Sequence, residues 1–176
     1  MAFFPEKDRR HGHRMRGLPP NKWERVVQKH IQRLARKVTG EIPASYIDFL
    51  KSREYLHYAD HDCDVYADPG IDSRHLYHFK IRKFLSVNPD GSGDLSKNYQ
   101  EYRRRLPAKS LLPIAFDQFR NVMCIDTDTG EIFFWDAEQE VDQAEISLAD
   151  RKARLFYVAR TFSDFKARLY KSNRYT

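Results

Sequence analysis

Leu111-Leu112-Pro113-Ile114-Ala115-Phe116-Asp117, Val122-Met123-Cys124-Ile125-Asp126 and Glu131-Ile132-Phe133-Phe134-Trp135-Asp136 are three short apolar runs separated by polar connections. Residues 118–121 and the tetrapeptide Thr127-Asp128-Thr129-Gly130 supply the turns, and Gly130 can take a positive φ without a Cβ clash. Branched and aromatic runs bounded this way predict a three-stranded antiparallel meander. They are apolar at successive rather than alternate positions, so both faces of the sheet are expected to be covered, one of them by helices. The expected class is α+β, with a mostly antiparallel sheet flanked by helices, rather than a bare sandwich. Trp135 is expected to anchor the core, so that Trp135→Ala would unfold the domain.

Upstream, Asn21 is expected to cap a helix through Thr39, with Gly40 as its stop. Trp23, Val26, Val27, Ile31, Leu34 and Val38 make one apolar face, and Lys22, Arg25, Lys29, Arg33, Arg36 and Lys37 gather opposite it. The apolar face predicts docking on the body of the protein, with the cations pairing to acidic groups there. A second helix is expected from Pro43 through Tyr46, Phe49 and Leu50. Residues 57–70 read as an acidic loop and 75–81 as a strand. Asn88-Pro89-Asp90-Gly91-Ser92-Gly93 is turn chemistry, and Asp94 is a cap for a helix through Tyr99 and Tyr102 that Pro107 ends. Residues 155–159 predict one more strand, followed by a helix capped by Thr161 or Ser163 and carrying Phe162, Phe165 and Leu169. Residues 171–176 are expected to fray. With no repeat and no linker, residues 1–20 read as a basic flexible arm and 21–176 as a single domain.

The formal net charge of +6 hides a strong division. Residues 1–40 hold 11 Lys and Arg against 3 Asp and Glu, a net of +8; residues 41–150 hold 12 against 21, a net of −9; residues 151–176 hold 8 against 1, a net of +7. An acidic body lies between two basic ends, and local patches rather than the total govern association. No window of about 18 apolar residues is present and the start lacks a secretory pattern, so a cytoplasmic, membrane-free protein is expected. Cys63 and Cys124 are too few and too far apart for a disulfide framework or a four-thiolate zinc site.

Chemistry-bearing patterns are sparse. His57, Asp60, His61, Asp62, Cys63, Asp64, His75 and His78 cluster in sequence, yet their spacing matches neither a zinc hydrolase helix nor a finger, so no metal site and no cofactor are expected. The strand-end carboxylates Asp117, Asp126, Asp128, Glu131, Asp136 and Glu138 stand where a magnesium nuclease would place them, but turn and cap roles explain them more simply. A GxSxG turn and a phosphate-cradling glycine loop are both missing. The chain is expected not to be an enzyme. Arg9, Arg10, Arg14 and Arg16 of the arm, with Arg25, Lys29, Arg33 and Arg36 of the first helix, are the residues that would neutralise phosphates in a nucleic-acid-binding adaptor, the alternative reading.

Leu112-Pro113-Ile114-Ala115, an aspartate, a turn ending in Asn121, a strand with Asp126, Thr129-Gly130, and an aromatic strand closing on Phe134-Trp135-Asp136 resemble the SUKH superfamily, of Smi/Knr type. Ile42-Pro43-Ala44-Ser45-Tyr46-Ile47-Asp48-Phe49-Leu50 is similar to that family's opening helix, and residues 158–165 to its closing strand and helix. The best match spans 41–170, with the helix of residues 21–39 an addition to it. Arg120 stands where the family usually has glycine, Ala137 interrupts a common histidine-glutamate ending, and an Asn-Gly pair is missing between Lys51 and Tyr58. The resemblance implies an α+β domain used in bacteria for immunity proteins that bind polymorphic toxins, without catalysis. The expected partner is therefore a cognate toxin, for which a nuclease with a basic groove is a fitting kind, met by an acidic surface of Asp126, Asp128, Glu131, Glu138, Glu140 and Asp142.

Overall fold

The computed structural model describes residues 18–58, 63–66, 78–87, 93–137 and 154–171. Five strands form one sheet in the order β3-β4-β5-β6-β7: Lys83–Phe84, Leu111–Phe116, Val122–Asp126, Ile132–Trp135 and Leu155–Ala159. Three more form a second sheet, β2-β1-β8: His78–Ile81, Cys63–Tyr66 and Tyr170–Lys171. Every pairing between these strands is antiparallel. The chain passes from the second sheet to the first at Arg82, whose N–H donates to the Phe116 carbonyl at 2.8 Å.

The meander stands where the sequence places it. Its strands are buried on both sides because they separate two apolar clusters. The larger one collects Leu112, Ile114, Met123, Ile125 and Ile132 of the five-stranded sheet, Val65 and Phe79 of the second sheet, and the helices. Tyr102, Leu106, Leu111, Val122, Cys124 and Trp135 make the smaller one on the opposite face. Trp135 is buried, as expected, but in the smaller cluster. A register shift between Pro113 and Ala115 lets Ile114 and Ala115 both join the larger core.

Helix α1, Pro20–Ala35, carries Trp23, Val27, Ile31 and Leu34 into that core, and the Trp23 indole N–H donates to the Leu50 carbonyl at 3.0 Å. Its ends differ from the sequence reading. Pro19 is the N-cap and Pro20 the first helical residue, so Asn21 caps nothing; proline lacks the N–H that a cap would satisfy and its φ is already helical. The α-helix ends at Ala35 rather than Thr39, and the chain turns through residues 36–39 to Gly40, whose φ is +70°.

Helix α2, Ala44–Lys51, has Pro43 as its N-cap rather than its first residue. The Asp94 side chain accepts from the Lys97 N–H at 2.8 Å and starts α3, Leu95–Tyr102. Thr161, not Ser163, caps α4, Phe162–Ala167. Two expectations of irregular chain are corrected. Within 57–70, His57 and Tyr58 end the 3-10 turn Glu54–Tyr58, and Cys63–Tyr66 is strand β1, because Cys63 and Val65 point into the core while Asp64 faces the other way. At the far end, Lys171 pairs with Cys63 in β8 instead of fraying. Residues 1–17 and 172–176, most of the proposed arm and tail, lie outside the described residues.

Candidate partner-binding site

The acidic residues Asp126, Asp128 and Glu131 meet at the β5–β6 turn. Backbone bonds close it: Gly130 N–H to the Asp126 carbonyl at 2.7 Å and Asp126 N–H to the Glu131 carbonyl at 2.8 Å. Side chains then tie the carboxylates down. Asp126 Oδ1 accepts the Asp128 N–H at 3.0 Å, and Glu131 Oε2 accepts the Thr129 hydroxyl at 3.1 Å. Asp128 is exposed, whereas Asp126 and Glu131 are half-buried. Gly130, with φ +81°, permits the turn as its sequence suggested.

Thr127, which the sequence reading passed over, holds this turn to the rest of the protein. It is 4% exposed. Its hydroxyl shares one proton between the Ser110 carbonyl, 2.8 Å away, and the Thr39 carbonyl. Its N–H donates to Ser110 at 2.9 Å, and its carbonyl accepts the Glu41 N–H at 2.7 Å. The α1–α2 connection thus lies directly on the acidic turn. A Cβ on Gly40 would fall inside the Thr127 carbonyl and Asp128 Oδ1, so glycine is required there by space as well as by φ. A glycine four residues before a proline-led helix was visible in the sequence; its contact, 87 residues away along the chain, was not.

Burial raises the pKa of the Cys124 thiol well above its ordinary value, and the Asp126 charge adds to this, so the thiol inside β5 stays protonated. The carboxylates of the turn satisfy N–H and O–H donors, and what they offer outward is a rigid negative surface suited to electrostatic recognition.

The other proposed residues are not all brought to this place. Glu138, Glu140 and Asp142 lie outside the described residues. They follow Ala137, at the opposite end of β6 from Glu131. At the β4–β5 end, Asp117 is a turn residue: Oδ1 accepts the N–H groups of Phe119 and Asn121, and Oδ2 accepts the Asn121 amide. The Asn121 side-chain Oδ1 in turn accepts the Ala137 N–H at 2.8 Å. Arg120 there has φ +69°, which explains physically why a glycine suits that position.

Of the histidine-rich stretch, Asp60, His61, Asp62 and His75 lie outside the described residues. Cys63 and Asp64 point to opposite faces of β1, His57 is exposed on the 3-10 turn, and His78 Nε2 lies 3.1 Å from Asp64 Oδ1. Among the described residues, no three His, Cys, Asp or Glu side chains come together as a metal would need.

Arg9, Arg10, Arg14 and Arg16 also lie outside the described residues, whereas Arg25, Lys29, Arg33 and Arg36 are all exposed along α1. The expected pairing of these cations with the acidic body does not occur among the described residues: the ion pairs there are Arg120–Glu101 and Lys166–Glu54, and the His78 ring lies against Asp64. An exposed pair contributes about 0–1 kcal/mol, too little to shape the docking of α1, which its apolar face decides. No helix among the described residues is long and apolar enough to cross a membrane.

The chain is similar to the SPbeta prophage-derived uncharacterized protein YokK of Bacillus subtilis (strain 168), with 26% identity over 154 residues that cover 79% of this chain and 72% of that protein. No solved structure matches it. The two-faced meander, its clamped acidic turn and the helices packed on it occupy the stretch that a family model matches, residues 26–168, which begins within α1. By that match the chain belongs to the SMI1 / KNR4 family (SUKH-1).

Proposed function

We propose that this chain is an immunity protein that binds a cognate toxin protein and neutralises it by covering its active surface. The family is known for immunity proteins that are generally not enzymes, and membership over residues 26–168 is the observation that carries the reading. The acidic turn supports it. Asp128 projects from a backbone locked by Thr127, so little side-chain or loop ordering opposes association there. Glu131 and Asp126 stand beside it, and Glu138, Glu140 and Asp142, which follow the other end of β6 in the chain, are proposed to meet the same partner as a second acidic patch. A toxin with a basic groove, such as a nuclease, is the partner this charge fits.

The test is co-expression with the product of the adjacent gene. Co-purification and protection of cells are expected, with Asp128→Lys weakening both at unchanged thermal stability. A folded chain that neither binds that product nor protects cells from it refutes the proposal.

A second reading is favoured by the basic face of α1 and the turn after it, where Lys22, Arg25, Lys29, Arg33, Arg36 and Lys37 are exposed together and form no ion pair among the described residues. As a nucleic-acid-binding adaptor, the protein would bind labelled DNA or RNA with an affinity that falls steeply between two salt concentrations. Undetectable or salt-insensitive binding excludes it.

A further inference from the structure

Among the described residues the exposed large hydrophobic side chains are Phe119, 56% exposed, which lines a cleft, and Tyr170, 38% exposed, which stacks on a residue of that lining. The cleft holds about 250 Å³ and lies where the two sheets meet beside the β4–β5 turn. Phe79 of β2 and Phe134 of β6, stacked with ring centroids 4.4 Å apart, are part of its lining. Phe119 and Lys80 line it too, and Tyr170 stacks on the lining residue His78 with ring centroids 6.4 Å apart.

Phe119 is held out in solvent. The Asp117 carboxylate grips the N–H groups on either side of Arg120, and the left-handed Arg120 backbone completes the turn. An apolar ring kept exposed on an ordered turn beside an apolar cleft is the usual form of an interface anchor. Asp117 also lines the cleft, but both its carboxylate oxygens accept N–H groups of its own turn, and Asp64 is buried against His78, whereas the Lys80 ammonium is exposed and forms no ion pair among the described residues.

We infer that this cleft docks a polypeptide segment of a partner protein in which an aromatic or aliphatic side chain stands next to a carboxylate. The apolar group enters beside Phe79, Phe134 and Phe119, and the carboxylate pairs with the Lys80 ammonium. The inference rests on the reading of the chain as a binder of another protein. It concerns a different surface from the acidic turn: β5, five residues long, separates the two turns by about 17 Å.

The test uses the full-length, ¹⁵N-labelled protein titrated with a blocked Gly-Glu-Phe-Glu-Gly peptide, with Gly-Lys-Phe-Lys-Gly and Gly-Glu-Ala-Glu-Gly as controls. Saturable shifts are expected at the amides of Lys80, Gln118 and Phe119 with the first peptide. Affinity is expected to drop at least about fivefold with either control, and by a similar factor in Phe119→Ser and Lys80→Glu. Lys109→Gln, at an exposed position before the other end of β4, is expected to leave it unchanged. An absence of saturable shifts at these amides, an equal response to the lysine peptide, or binding that survives Phe119→Ser overturns the inference. So does a dimer in sedimentation that Phe119→Ser dissolves, which would assign the cleft to a second copy. Co-purification with the adjacent gene's product separates the two ideas. A partner retained equally by Phe119→Ser, with no peptide binding, removes the cleft and keeps the immunity reading. Peptide binding without a co-purifying partner does the reverse.

Discussion

Trp135 closes β6 with 4% of its surface exposed, its ring edge-on to Tyr102 at 6.4 Å and under the Arg105 guanidinium at 5.6 Å. Removing a buried ring of this size costs about 3–5 kcal/mol through lost transfer energy and the cavity left behind. The Trp135 indole N–H, however, is buried without a hydrogen-bond partner among the described residues. That group costs the native state about 1–3 kcal/mol, and the cost disappears with the ring. Trp135→Ala is therefore expected to lose about 2 kcal/mol net, a fall in Tm of about 4–8 °C for a chain of this length. Complete unfolding, the outcome expected from the place of Trp135 on the third strand of the meander, is not expected here, since the larger core does not contain this residue. Trp135→Phe keeps most of the volume and removes the unpaired N–H, so it should stay within about 1 kcal/mol of the native protein. Urea unfolding followed by circular dichroism measures both. Equal destabilisation by the two substitutions would refute the reasoning, because the N–H would then have a partner worth as much as the packing.

Gly40→Ala should destabilise by more than the ~1–2 kcal/mol of a left-handed backbone alone, because its Cβ meets the Thr127 carbonyl; a thermal melt within 2 °C of native would show that the clamp on the acidic turn yields. Burial lowers the pKa of His30 below 6.5, with Arg33 and Lys37 acting in the same sense and Asp94 against them. The unfolded chain therefore binds this proton first, and stability present above pH 6.5 should be lost as pH falls through the folded pKa. The slope of Tm against pH below neutrality should flatten in His30→Gln; an unchanged slope would place the effect elsewhere. Removing residues 1–40 should cause aggregation, since burying Trp23, Val27, Ile31 and Leu34 contributes roughly 6–12 kcal/mol in all, comparable with a whole domain's stability. A soluble, cooperatively folding chain starting at Glu41 would show that α1 is not part of the core.

Sequence patterning determined the meander of residues 111–135, the strand of residues 155–159, the cap Asp94 and the inward face of α1, and narrowed the cap of the last helix to Thr161 or Ser163. Each of these depends on residues within a few positions of one another, where apolar spacing and turn chemistry act directly. Tertiary structure alone decided the rest. The β1 strand was hidden because four residues with one inward pair give no period against polar flanks, and β8 exists only because Cys63 and Asp64 offer it an edge. The split of the sheet at Arg82 follows from which strand each half finds to pair with. In the proposed acidic surface the sequence grouped residues by proximity along the chain. A strand carries its two ends apart, so Glu131 and Ala137 stand at opposite ends of β6 although only six positions separate them. Phe119 gave no sign of its own: whether an aromatic in a turn is covered or left in water depends on what the fold brings against it, and here two sheets meet beside it without closing over it.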